Sequence, residues 1–108
     1  MQIKVLYFSG CPMWEIAVAR VRTLLAELGR ADVAVEVEDV HQASQLSSEW
    51  AGSPTVLLDG RDPFAAVGGA PHPVTARDAC RIYVTKSGFE GTPSVDQLRT
   101  VLTRALKE

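Results

Sequence analysis

The chain opens on a run of mostly apolar residues, Ile3 to Phe8, with β-branched and aromatic members, and this pattern predicts a buried strand. Ser9-Gly10 ends it as a turn. Pro12 suits the first position of a helix, which makes Cys11 the expected N-cap. From there to about Leu28, the residues Ala17, Val21, Leu24, Leu25 and Leu28 recur on one face, as a helix lying on a core requires. Arg20, Arg22 and Glu27 fall off that stripe, and Gly29 is a suitable stop. Val33, Val35 and Val37 then alternate with Ala34, Glu36 and Glu38, the signature of a half-exposed edge strand.

Gln42 to Trp50 predicts a short helix with Ala43, Leu46 and Trp50 inward, although Ser44, Ser47 and Ser48 dilute the pattern. Gly52-Ser53-Pro54 leads into a short buried strand, Thr55 to Leu58, closed by Asp59-Gly60. Arg61 to Ala79 is rich in Pro, Gly and Ala and reads as a loop, long enough to be a functional lid or an insertion. A fourth strand is expected over Arg81 to Thr85, then a turn at Ser87-Gly88 and Gly91. The last helix is expected to start near Pro93 or Ser94. Ser94 and Gln97 have capping-box spacing, and Val95, Leu98, Val101, Leu102, Ala105 and Leu106 form the apolar stripe. The order is β-α-β-α-β-β-α. It implies an α/β sandwich around one four-stranded mixed sheet in the order 2-1-3-4, with helices on both faces.

A length of 108 residues suits one domain and permits a core without disulfides or a metal. The net charge of −2, with eleven Lys and Arg scattered and no basic run, argues against a nucleic-acid surface. Met1-Gln2-Ile3-Lys4 has no cationic region leading into an apolar one, and no apolar stretch approaches a membrane span. Two cysteines, Cys11 and Cys80, do not make a disulfide framework. The expected setting is therefore a reducing cytoplasm, away from membranes.

Three local features stand out together: Tyr7-Phe8-Ser9-Gly10-Cys11-Pro12-Met13-Trp14, then Gly52-Ser53-Pro54-Thr55-Val56, then the closing strand and helix. In this order they resemble the thioredoxin-like superfamily over nearly the whole chain, the loop from Arg61 to Ala79 excepted. More narrowly, the chain is similar to small bacterial thioredoxin-like proteins that share Cys-Pro-x-[Trp/His], Gly-Ser-Pro-Thr, Asp-Gly-x-Asp and Cys-Arg-[Leu/Ile]-Tyr. Some of these carry an organomercury-lyase label. The resemblance implies that Cys11 is the reactive thiol and that a cis peptide bond precedes Pro54 beside it. It further implies that Pro12, Met13, Trp14, Ser53, Pro54 and Thr55 face the substrate. The backbone of Ser53 would be offered to an extended partner, which can pair there as an added strand.

The residues make their own case for Cys11. A thiolate is the nucleophile in sulfur chemistry, and a helix N-terminus favours it through unpaired N–H groups and the helix dipole. The competing reading is a small buried residue that only starts a helix. Trp14 stands where a dithiol protein has its second cysteine, so a dithiol cycle confined to this motif is excluded. Cys11 retains two routes: a mixed disulfide with a low-molecular-weight thiol or a protein thiol, or oxidation by a peroxide to a sulfenic acid. Cys80 is expected at the far end of the sheet. A five-residue strand covers roughly 15 Å, whereas a disulfide needs Cα atoms within about 7 Å. Cys80 therefore reads as a small buried residue, not bonded to Cys11.

Other residues carry less. His41 and His72 have no metal-ligand spacing with the cysteines, Trp50 reads as core, and Asp59, Asp62 and Asp78 read as turn and loop solvators. Gly68-Gly69 lacks the strand–helix context of a phosphate loop. The function expected is a thiol-redox protein acting through Cys11, with no cofactor or metal. Two alternatives stay open: a non-catalytic binding module using the Pro54 side or the Trp14 surface, and a mercury-related thiol protein. Cleavage of a carbon–mercury bond would need further thiols and a proton donor that the sequence does not display.

Overall fold

The computed structural model describes residues 1–64 and 76–107. Strand β1 (Ile3–Tyr7) is the centre of a three-stranded sheet in the order β2-β1-β3. Strand β2 (Val35–Asp39) runs parallel to β1, and β3 (Thr55–Leu58) runs antiparallel to it. A parallel pair needs a crossover, and helix α1 (Trp14–Glu27) supplies it. Val5 pairs with Val37 on one side and Val56 on the other, so apolar β-branched residues fill the middle of the sheet.

Successive strand residues face opposite sides, and this sorts the core into two. Ile3 meets Val21, Leu24 and Leu25 of α1 together with Leu98 and Leu102 of helix α2 (Val95–Leu106). Leu6, one face over, meets Val40, Trp50 and Leu57. Both helices therefore cover one face, and the segment from Val40 to Trp50 covers the other. Truncating any of the buried leucines to alanine costs on the order of 2–5 kcal/mol. The α2 start is as the sequence predicts. Ser94 Oγ accepts from Gln97 N at 3.1 Å, and Gln97 Oε1 accepts from Ser94 N at 2.9 Å, a complete capping box.

Three expectations are corrected. The stretch from Gln42 to Trp50 is turns and bends, not a helix. Just before it, Asp39 Oδ1 accepts from His41 N at 2.9 Å, and within it Ser47 Oγ accepts from Glu49 N at 3.1 Å. Such bonds compete with the helical ladder. Arg77 then donates to the carbonyls of Val40 and Ala43.

Secondly, among the described residues the sheet has three strands and not four. Strands β4 (Tyr83–Thr85) and β5 (Gly88–Glu90) form a separate antiparallel hairpin. Both backbone groups of Leu58 are engaged by Arg61, which donates at 3.1 Å and accepts at 2.8 Å. A fourth strand extending along β3 would need those groups.

Thirdly, α1 begins at Trp14 with Met13 as its N-cap, so Cys11 lies two positions before the cap. Cys11 N donates to Phe8 O at 3.0 Å and closes a turn first; the helix starts only after that turn. Of the loop expected from Arg61 to Ala79, the central part, including Gly68-Gly69 and His72, lies outside the described residues. Among the described residues, no helix is long and apolar enough to cross a membrane.

Candidate thiol site

The turn that follows β1 delivers Cys11 to the start of β3. Cys11 is only 4% exposed, and its Sγ donates to Ser53 O at 3.7 Å. The Ser53–Pro54 peptide bond is cis. Thr55 braces the turn from beneath: its Oγ1 donates to Gly52 O at 2.6 Å and accepts from Ala51 N at 3.1 Å. Thr55 is fully buried with both bonds internal, so its observed work is to hold the turn that carries Ser53.

The remaining residues expected at the site divide by exposure. Pro12 is exposed, Met13 and Trp14 are half-buried, and Ser53 and Pro54 are buried. Trp14 stacks on Tyr7 with ring centroids 3.9 Å apart, which ties the first turn of α1 to the end of β1. The backbone of Ser53 is not open to an added strand. Its N–H donates to Ala79 O at 2.8 Å, and its carbonyl accepts from Arg81 N at 3.0 Å. The chain itself occupies that edge.

That pairing corrects the placement of Cys80. Ser53 and Cys80 form a parallel β-bridge, so the chain re-enters at the Pro54 end and not at the far end. The expected placement took Cys80 as the start of a strand antiparallel to β3; its bridge to Ser53 is parallel instead. Both cysteines are free thiols; Cys11 is buried and Cys80 is exposed. The Cys80 thiol lies above its ordinary value. Partial loss of water is the first cause, followed by the charge of Cys11 and a hydrogen bond with it.

Gly52 makes the bridge feasible. It has φ +102, and a Cβ there would lie 2.9 Å from Arg81 N and 3.0 Å from Cys80 C. Gly52→Ala should therefore destabilise the fold by about 1–3 kcal/mol from backbone conformation alone, before any displacement of Cys80 and Arg81. Urea unfolding of the variant measures this; an unchanged midpoint would show that the contact is dispensable.

A polar chain supports the site and was not identified from the sequence. Tyr83 is buried, and its hydroxyl donates to Pro54 O. The Arg81 guanidinium lies 4.5 Å from the centre of the Tyr83 ring and pairs with Asp62. Asp62 also accepts from Phe64 N at 2.9 Å, so it is a buried ion-pair partner and not a loop solvator. Arg81 and Tyr83 are two residues apart, the period that puts side chains on one side of a strand, and that spacing was the available signal. Trp50 is buried as core, with Nε1 donating to Ala76 O at 2.9 Å. Asp59 accepts from Gln2 N at 2.8 Å, and Asp78 pairs with His41 at the surface.

Burial pushes the Tyr83 phenol above its ordinary value of 10.0, and Arg81 offsets part of that. In the unfolded chain this phenol loses its proton near the ordinary value; in the folded protein it keeps it to higher pH. The folded state then binds the extra proton, so its stability is full below about pH 10 and falls as pH rises above it. Tyr83→Phe should flatten that alkaline decline while lowering stability at neutral pH by about 1 kcal/mol through the lost bond to Pro54. Chemical unfolding at pH 7 and pH 11 separates the two effects; an unaltered alkaline slope would assign the decline to another group.

No family model matches the chain, and no curated protein or solved structure matches it.

Proposed function

We propose that this chain is a thioredoxin-like thiol-redox protein in which Cys11 attacks a disulfide or is oxidised by a peroxide. The observation that carries the reading is the contact of Cys11 Sγ with Ser53 O at the start of β3, in a turn set by the cis Ser53–Pro54 peptide. Support comes also from the β1-α1-β2 unit, which puts Cys11 between a central strand and the helix it feeds. The 4% exposure of Cys11 favours a low-molecular-weight disulfide over a folded protein as the first partner. Pro12, Met13 and Trp14 would border that partner. A reducing cytoplasm is the setting in which such a thiol stays available.

A non-catalytic binding module is the second reading, supported by Ile82, Val84 and Phe89, large apolar residues exposed on or beside the β4–β5 hairpin. The two readings part on the reactivity of Cys11. In the single-thiol variant Cys80→Ser, oxidised glutathione should add to Cys11 about tenfold faster in the folded protein than in urea, as an activated thiol requires. Intact mass against time measures this. Slower addition in the folded protein would sink the redox reading and leave the binding module.

A further inference from the structure

We propose that Cys80 is the resolving thiol for Cys11, closing an internal disulfide between the turn before α1 and the bridge residue beside Ser53. The inference rests on the reading of Cys11 as the attacking thiol. Trp14 occupies the position from which a resolving cysteine would act within the motif, so a resolving thiol within the chain has to come from outside the motif.

The geometry converges on one peptide. Ser53 O receives the Cys11 thiol at 3.7 Å and Arg81 N at 3.0 Å. Cys80 is the bridge partner of Ser53, and bridged strands lie about 4.8 Å apart. Cys11 and Cys80 thus flank the same residue. Cys11 is also among the groups that raise the Cys80 thiol, as expected of neighbouring side chains. An independent feature marks the same spot: Ser53 Oγ is buried and has no hydrogen-bond partner among the described residues. A buried hydroxyl without a partner is costly unless something uses it, and a sulfur that becomes anionic during exchange is a fitting acceptor.

The chemistry balances with a low-molecular-weight disulfide as oxidant. The Cys11 thiolate attacks one sulfur of the disulfide, forms the mixed disulfide and expels one thiolate. Cys80 gives its proton to solvent and attacks the Cys11 sulfur. The mixed bond breaks, the second thiolate leaves and takes up a proton, and the Cys11–Cys80 bond forms. Two electrons pass from the protein to the oxidant, and an external dithiol returns them. Cys80 is the suitable resolver: its thiol is exposed, and the bridge holds its backbone beside Ser53 while Cys11 stays in place.

Oxidised glutathione is the probe, and intact mass after acid quench is the readout. Wild-type protein should lose two hydrogens as a monomer and retain almost no glutathione, with a peptide map joining Cys11 to Cys80. Cys80→Ser and, as a check on folding, Cys80→Ala should each hold one glutathione on Cys11, lost at least tenfold more slowly. If wild type keeps the adduct as long as the variants do, the resolving role is overturned while the reactive Cys11 stands. If the variants acquire no adduct, the reading of Cys11 falls and the resolving role falls with it.

Discussion

Cys11→Ser should leave a folded protein that consumes oxidised glutathione at least a hundredfold more slowly than wild type, because the attacking atom is gone. The loss should not be a folding artefact. Cys11 is not the α1 N-cap, so the substitution leaves the helix start, Met13, untouched. Serine brings a hydroxyl to a site where the thiol already donates to Ser53 O, so the buried polar atom retains an acceptor. The stability cost should stay near 1 kcal/mol, the scale of one rearranged hydrogen bond. Nor should Cys80 take over. It is exposed, but partial loss of water, the largest cause of its raised value and one that does not depend on Cys11, still leaves less of it as thiolate at neutral pH. Consumption is followed by released glutathione, with circular dichroism confirming the fold. Consumption near the wild-type rate would move the attacking role to Cys80.

Much of the framework was legible in the sequence because local pattern and tertiary demand agree there. Ile3, Val5 and Leu6 form the central strand, the stripe from Ala17 to Leu25 is the buried face of α1, and Ser94 caps α2 with Gln97 as its spacing predicts. Where they disagree, side-chain bonds decide. Between Val40 and Trp50, Ser47 and Arg77 take backbone groups a helix would use. Beyond β3, Arg61 takes both groups of Leu58, and the expected fourth strand becomes a hairpin instead.

For the site, Cys11 and the Ser53–Pro54 turn were readable as a pair because each sits at the junction of a strand with a turn. Cys80 was not. Its position depends on the direction in which the chain returns after the loop, and no local pattern encodes that direction. The parallel Ser53–Cys80 bridge is a product of long-range pairing. Gly52 is its clearest local trace, since only a residue without Cβ lets the backbone of Cys80 and Arg81 approach so closely.

Arg81→Ala should cost about 3–5 kcal/mol, the penalty for leaving a buried carboxylate without its counter-charge. The side chain of Asp62 is 3% exposed and that of Arg81 is 12% exposed, so the pair is inside the protein. By contrast, the Arg99–Glu27 pair at 3.4 Å has both side chains about half exposed, and breaking it should cost at most about 1 kcal/mol. Arg81 does more than neutralise Asp62. Its guanidinium lies over the Tyr83 ring, and Tyr83 holds the Pro54 carbonyl, so the loss runs toward the cysteine pair. The backbone N–H of residue 81 still donates to Ser53 O in the variant, which limits the damage to what the side chain does. The double variant Asp62→Asn with Arg81→Met removes both charges and should recover most of the loss, since apolar or neutral replacement of a buried pair is close to neutral. Denaturant unfolding of Asp62→Asn, Arg81→Met and the double variant gives the coupling directly. If Arg81→Ala costs no more than Arg99→Ala, the Asp62–Arg81 pair is solvated in solution, and the polar chain from Asp62 to Pro54 does not hold the site.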